Sequence, residues 1–269
     1  MTSISVTPGK NNIGAYINNI NLNKLEDSLL KQIKETLSGY GVIFMKKQNL
    51  DSETYQNFAK KFGELVAYPR LKGLENYPYI NAIIRKPDDK NLTFGSKFLH
   101  NDNPYSGKDR PKFTMLYGVE VPIGQGNTIF SSGFNAYEKL PEDIKDKIKN
   151  AIGVFSSEGK ISITRIEREK EMGIKSAKKM EAEHPIIQTV NGKKSLYISP
   201  GHLIKIKNID EQESEKLKKY LIDHVNKDEF IFSYEWGKGD VVLWDNIAVS
   251  HKASEIKNCR RVMHRITIK

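Results

Sequence analysis

Gly239-Asp240-Val241-Val242-Leu243-Trp244-Asp245-Asn246, leading to His251 and then to Arg261-Val262-Met263-His264-Arg265-Ile266-Thr267-Ile268, is the stretch on which the fold turns. Val241 to Trp244 is an apolar run of strand length, opened by a Gly-Asp turn signal. From Arg261 a period of two puts Val262, His264, Ile266 and Ile268 on one face and Arg261, Met263 and Arg265 on the other. Phe230 to Phe232 adds a further short strand. Strands this short, joined by tight turns, point to a jelly-roll barrel.

Working outward, Phe113, Met115 and Tyr117 alternate with Thr114 and Leu116, and Val119 and Val121 extend the strand. The turn-rich Pro122-Ile123-Gly124-Gln125-Gly126-Asn127 separates it from Thr128-Ile129-Phe130. Ala136 to Asn150 reads as mostly helical, with Pro141 restarting the helix at its first position. Ile186-Ile187 and Ser195 to Ile198 bracket an Asn191-Gly192 turn and predict a hairpin. Leu217, Tyr220, Leu221 and Val225 mark an amphipathic helix.

Nearer the N-terminus, Leu25, Leu29, Leu30, Ile33 and Leu37 keep helical spacing, closed by Gly39 and Gly41, and Gly41 to Met45 reads as a buried strand. Asp51 is the expected N-cap of a second helix carrying Tyr55, Phe58, Ala59 and Phe62, with Gly63 as its stop. Tyr79 to Ile84 is strand-like. No glycine-rich phosphate loop accompanies these strands, which argues against a dinucleotide-binding fold. The expected class is α+β: a jelly-roll core with flanking helices in one domain, residues 1–269. Ser156 to Glu183, crowded with Lys, Arg and Glu, is expected as a surface insert or a lid over the site.

Composition narrows the function classes. Hydrophobic residues make up 38% of the 269 and charged residues 28%, which fits a chain with a substantial core. No run approaches the ~18 apolar residues needed to span a bilayer, and Met1-Thr2-Ser3-Ile4-Ser5 lacks the basic and apolar regions of a signal peptide. Cys259 is the only cysteine, so an intramolecular disulfide is impossible and the cytoplasm is the expected location. The net charge of +10 is spread along the chain without a basic–aromatic stripe. The expected partner is therefore a small molecule, with no nucleic acid and no membrane; a homo-oligomer stays open.

His100-Asn101-Asp102 is the first chemical signal. Alternation on a strand would send His100 and Asp102 out of one face, where both can grip one ion. His251 offers a second imidazole just past a strand-like run. Two imidazoles and one carboxylate are the set that holds non-haem Fe(II) on one face and leaves the opposite positions open. A His-x-Asp by itself is equally compatible with a hydrogen-bonded surface pair.

Around these residues the chain resembles the taurine dioxygenase family of Fe(II)/2-oxoglutarate-dependent enzymes. The resemblance runs through Tyr40-Gly41-Val42-Ile43-Phe44, Phe62-Gly63-Glu64-Leu65, Leu116 to Pro122, Gly126-Asn127-Thr128 and His184-Pro185. It is most specific from Trp244-Asp245-Asn246 through His251 to Met263-His264-Arg265. It implies a double-stranded β-helix (jelly-roll) fold. It also implies catalytic iron ligands at His100, Asp102 and His251, with 2-oxoglutarate and O₂ as cosubstrates. Arg261, helped by Thr128, matches the arginine on the far carboxylate of 2-oxoglutarate, where a planar fork can make two parallel hydrogen bonds. Arg265, four residues on along the same face, matches the holder of the substrate's anionic group.

Tyr68 and Ser96 fall at substrate-contact positions, but their types depart from the family pattern, as do Leu71 and Leu99. The resemblance therefore implies a small, anionic metabolite other than taurine. The expected reaction is hydroxylation of a C–H bond with release of succinate and CO₂; a carboxylate ligand at Asp102 favours this over halogenation. Desaturation or rearrangement of an amino-acid-derived metabolite is the alternative within the family. A non-catalytic metal-binding jelly-roll sensor is the alternative outside it, and a sensor has no need of a dicarboxylate clamp. Cys259 is expected to be a bystander thiol and His184 and His264 to be structural, while His202 and His224 carry no readable signal.

Overall fold

The structure, a computed structural model, describes residues 4–67, 72–90, 92–93, 95–162 and 178–269. Its largest sheet runs, in order, Ser5–Pro8, Ala15–Asn18, Val42–Met45, Val241–Asp245, Phe113–Glu120, Arg261–Ile268, Tyr77–Arg85 and Gly73–Leu74, with Leu65–Val66 also on the closing strand Arg261–Ile268. A smaller sheet is built from Ile231–Tyr234, Thr128–Ser132 and Val249–Ala253. The inner faces of the two sheets share one aromatic core. Phe44, Val242, Trp244 and Met263 from the large sheet meet Phe130, Tyr234 and Val249 from the small one, with Phe44 stacked on Tyr234 at 4.4 Å.

Alternation sorts the outer residues. Ile43, Met45, Met115, Val241, Leu243, Ile266 and Ile268 turn away from that core and pack on two helices. The first, Asp27–Tyr40, buries Leu29, Ile33 and Leu37 at a spacing of four and ends on Gly41, whose N–H donates to Leu37 O. The second, Ser52–Lys60, buries Tyr55, Phe58 and Ala59 and starts at Asp51, whose side chain accepts the Thr54 N–H at 2.7 Å. Each large apolar side chain so enclosed contributes on the order of 2 kcal/mol of transfer free energy. Because the strands are covered on both faces, Val42-Ile43-Phe44-Met45 is apolar throughout rather than alternating.

A separate core joins the helices Gly133–Glu138, Glu142–Ile148 and Glu211–Val225 to the strands around Phe155, Leu196 and Leu203. Pro141 stands one residue earlier than its sequence reading, as the N-cap of Glu142–Ile148. The hairpin around Asn191-Gly192 is present, with both turn residues at positive φ. At the two ends of the insert expected at 156–183, Ser156 and Glu181 to Glu183 lie on the paired strands Ile152–Ser156 and Glu181–Pro185. Residues 163–177, the centre of the expected lid, lie outside the described residues. Among the described residues no helix is long and apolar enough to cross a membrane.

The turn feeding Val241–Asp245 is tightly specified. Gly239 has φ +83°, and its N–H and C=O both bond across to the sheet, to Gly118 O and Gln48 N–H at 2.7 Å each. A Cβ there would lie 2.6 Å from Gln48 O. Gly239→Ala is expected to destabilise by about 2–3 kcal/mol, from left-handed strain plus the backbone clash, read as a lower urea midpoint at unchanged slope.

Candidate metal centre

Strands from both sheets and one irregular segment converge between the sheets. Thr128 and His251 come from the small sheet, Arg261 and Arg265 from the closing strand of the large one. Arg261 to Arg265 keep unbroken register with Arg85 to Asn81, so Arg261, Met263 and Arg265 share one face; the register shift on the other side leaves out Val119 of Phe113–Glu120. His100 and Asp102 lie on no strand, contrary to the alternation expected of them. His100 makes a single isolated bridge with His251, and Asp102 sits in a bend before the 3-10 turn Pro104–Asp109. The bridge is reciprocal, His100 N–H to His251 O at 2.9 Å and His251 N–H to His100 O at 2.8 Å. Those two bonds set the imidazoles side by side, ring centroids 4.5 Å apart. Asp102 is brought to the same point by Asn246, whose side-chain oxygen accepts the Asp102 N–H at 3.2 Å.

One ligand atom from each of His100, Asp102 and His251 lies within 4.8 Å of the others, and all three residues are buried. His251 Nε2 is 4.0 Å from Asp102 Oδ2. His100 Nδ1 lies 3.0 Å from Phe98 O; a carbonyl only accepts, so Nδ1 carries the proton and Nε2 the lone pair. Burial holds both imidazoles below their ordinary range, His251 down to about 3 with help from its neighbour His100. Burial by itself would raise the Asp102 carboxyl. The Arg265 charge, the two histidines and the Thr114 hydroxyl outweigh it and hold Asp102 well below the usual carboxylate range. At neutral pH the centre is one carboxylate and two neutral imidazoles, a donor set that fits a divalent transition metal.

The triad opens on a cavity of about 60 Å³, bordered also by Thr128, Arg261, Arg265 and the apolar Ile83, Leu116 and Trp244. Arg265 Nη2 lies 2.7 Å from Asp102 Oδ1. Arg261 is buried, with Nε and Nη2 lacking any hydrogen-bond partner among the described residues. Burial lowers its pKa only to about 10, so it remains a cation. Its guanidinium sits 5.9 Å from the Trp236 ring centroid, and Trp236 Nε1 donates to Thr128 Oγ1 at 2.9 Å. A buried guanidinium without an acceptor is costly, and an anion in the cavity would remove that cost.

Residues 5–267 match the model of the family described as taurine catabolism dioxygenase TauD, TfdA family. The chain belongs to this family. The alkylsulfatase of Acinetobacter baylyi is 29% identical over 269 residues, covering 95% of this chain and 82% of that protein. The α-ketoglutarate-dependent sulfate ester dioxygenase of Pseudomonas putida is 27% identical over 276 residues, covering 98% and 89%. A crystal structure of a taurine dioxygenase from Burkholderia xenovorans superposes with a TM-score of 0.81 at 26% identity, covering 99% of this chain and 89% of that one. The fold is thus the jelly roll of the TauD/TfdA family, and the chain is a dioxygenase of the 2-oxoglutarate-dependent class.

In this TauD/TfdA protein, six of the residues singled out from sequence border one cavity: His100, Asp102, His251, Thr128, Arg261 and Arg265. Ser96 is turned elsewhere, its hydroxyl donating to Glu255, and Tyr68 and Leu71 lie outside the described residues. His184, His202 and His224 each set a ring nitrogen on a backbone carbonyl, of Pro104, Ser156 and Ala136. Three residues at the site had been given no role there from sequence: Thr114, Trp236 and Asn246. Thr114 left one legible trace, as a polar residue on the same strand face as the cavity-lining Leu116. Trp236 left none.

Proposed function

We propose that the protein is an Fe(II)- and 2-oxoglutarate-dependent hydroxylase of small organic anions, with alkyl sulfates and alkyl sulfonates as the substrate class. His100, Asp102 and His251 hold Fe(II) through two imidazole nitrogens and one carboxylate oxygen. Bound Fe(II) with 2-oxoglutarate and O₂ supplies the oxidation of a C–H bond, releasing succinate and CO₂. The chain's own residues do the holding and the charge matching. Arg261 presents its unsatisfied Nε and Nη2 to the far carboxylate of 2-oxoglutarate, with Thr128 beside it. Arg265, which pairs with Asp102 and lines the same cavity, supplies the positive charge that holds the substrate's anionic head close to the metal. The buried, partnerless edge of Arg261 next to the triad is the observation that carries this reading.

The substrate class rests on what the cavity offers. Its charged side chains are two arginines and one carboxylate, Asp102, which is already paired; its apolar walls are Ile83, Leu116 and Trp244. Nothing among these lining residues would answer the ammonium of a zwitterion such as taurine. Leu99 is fully buried, and the Ser96 hydroxyl is spent on Glu255. The curated relatives named for sulfate esters are consistent with an anionic head on an apolar body.

The test is a panel of alkyl sulfates, alkyl sulfonates, taurine and N-acyl amino acids, scored by substrate-dependent succinate formation. Alkyl sulfates or sulfonates are expected to couple at least ~10-fold better than taurine, the discrimination expected when a charged group is left unanswered in a desolvated site. Hydroxylation at the carbon bearing a sulfate gives a hemiacetal ester that collapses to aldehyde and sulfate, which provides a second readout. A panel in which taurine couples best would overturn the assignment.

A further inference from the structure

We infer that Thr114 and Asn246 are positioning residues that fix the Asp102 carboxylate in its metal-facing orientation before any ion arrives. The inference rests on reading His100, Asp102 and His251 as a metal centre, and it goes beyond that reading by assigning two residues that touch neither metal nor substrate.

The Trp244 indole N–H and the Asp102 backbone N–H can only donate, and both end on one Asn246 side-chain atom, at 3.1 and 3.2 Å. That atom must be the amide oxygen. The Asn246 Nδ2 then faces Thr114 Oγ1 at 3.0 Å and donates to it. With an acceptor site of its hydroxyl occupied, Thr114 sends its only proton to Asp102 Oδ2, at 2.6 Å.

Oδ2 is also the oxygen that faces His251 Nε2, while Oδ1 is held by Arg265. The carboxylate therefore has a contact at each oxygen, a hydrogen bond at Oδ2 and an ion pair at Oδ1. One lone pair of Oδ2 goes to Thr114, leaving the other for an ion. Thr114 and Asn246 are almost completely buried, so water does not compete. Asn246 is itself immobilised through its backbone, its N–H on Lys112 O and its C=O on Asn101 Nδ2. Partners of this kind, one bond out from a metal ligand, commonly set affinity through orientation.

The probe is Co(II) alone, titrated without 2-oxoglutarate into wild type, Thr114→Val, Thr114→Ser and Asn246→Asp, followed by visible absorption and calorimetry. Thr114→Val is expected to weaken Co(II) binding roughly 10–100-fold, with Thr114→Ser restoring it to about wild type. Asn246→Asp keeps the shape but replaces the donor facing Thr114 with an acceptor that contests its proton, and should weaken binding by about 10-fold. It decides the question the same way if Thr114→Val does not fold. If both Thr114→Val and Asn246→Asp bind Co(II) as wild type does, with unchanged spectra, the network is only structural and the inference is overturned. If wild type itself binds no Co(II), or His251→Ala leaves its binding intact, it is the metal-centre reading that fails instead.

Discussion

Asp102→Ala is expected to reduce metal binding and substrate-coupled succinate release to background, and to loosen the fold as well. The catalytic loss follows from removing one of three donors gathered within 4.8 Å. The structural loss follows from what the carboxylate leaves behind: a buried Arg265 without its 2.7 Å partner and a Thr114 proton without an acceptor. Breaking a buried ion pair by removing one partner costs about 3–5 kcal/mol. Asp102→Asn separates the two effects, since it preserves shape and can still accept from Thr114 but cannot balance Arg265.

The pH dependence has a definite sign. Asp102 is held below its ordinary range in the folded protein, so its contribution is complete above the unfolded carboxylate pKa of about 3.9 and fades as pH falls below it. The gap in unfolding free energy between metal-free wild type and Asp102→Asn should therefore shrink on acidification through that window. A gap that widened, or an Asp102→Ala protein that still bound Co(II) tightly, would show that Asp102 is neither partner nor ligand.

Arg261→Met should do the opposite to stability while destroying cosubstrate binding. In the metal-free protein Arg261 is a buried cation with two nitrogens unsatisfied among the described residues, and its guanidinium faces the Trp236 ring. A long apolar side chain of similar reach removes the desolvation penalty, so thermal stability should rise by about 1–3 kcal/mol. Losing a charged, bidentate clamp costs the cosubstrate about 2–5 kcal/mol, roughly 30-fold to several thousand-fold in affinity. Added 2-oxoglutarate with metal should then raise the melting temperature of wild type and leave that of Arg261→Met unmoved. Arg261→Lys keeps the charge without the fork and should fall between them. If Arg261→Met were less stable than wild type and still shifted by 2-oxoglutarate, the clamp would have to lie elsewhere. A group that weakens the empty fold and is answered only by a ligand fits the trade-off between stability and activity that functional sites show.

Much of this molecule was legible from local pattern. The spacing of Leu29, Ile33 and Leu37, the Asp51 cap, the Asn191-Gly192 turn and the alternation of Arg261–Ile268 each depend on a few neighbouring residues, and each recurs in the structure. The cavity face of the closing strand could be read for the same reason: a period of two leaves Arg261, Met263 and Arg265 no choice but a shared side. The departures lie where local pattern has no say. His100 and Asp102 were expected on a strand because their spacing allowed it, yet the segment is irregular and owes its geometry to bonds with His251 and Asn246, each more than 140 residues away.

The sequence by itself determined the chemical inventory and the strands that carry most of it: two histidines and an aspartate proposed for a metal, an arginine and a threonine proposed for a dicarboxylate, all within one jelly roll. Tertiary structure alone decided who holds whom. It placed Arg265 on Asp102, sent the Ser96 hydroxyl to Glu255, left Nε and Nη2 of Arg261 without an acceptor among the described residues and strung Trp244, Asn246 and Thr114 behind the carboxylate. Side-chain periodicity says which way a residue points, but partner choice across a hundred residues is set by sheet register and by which donors and acceptors burial leaves to be satisfied.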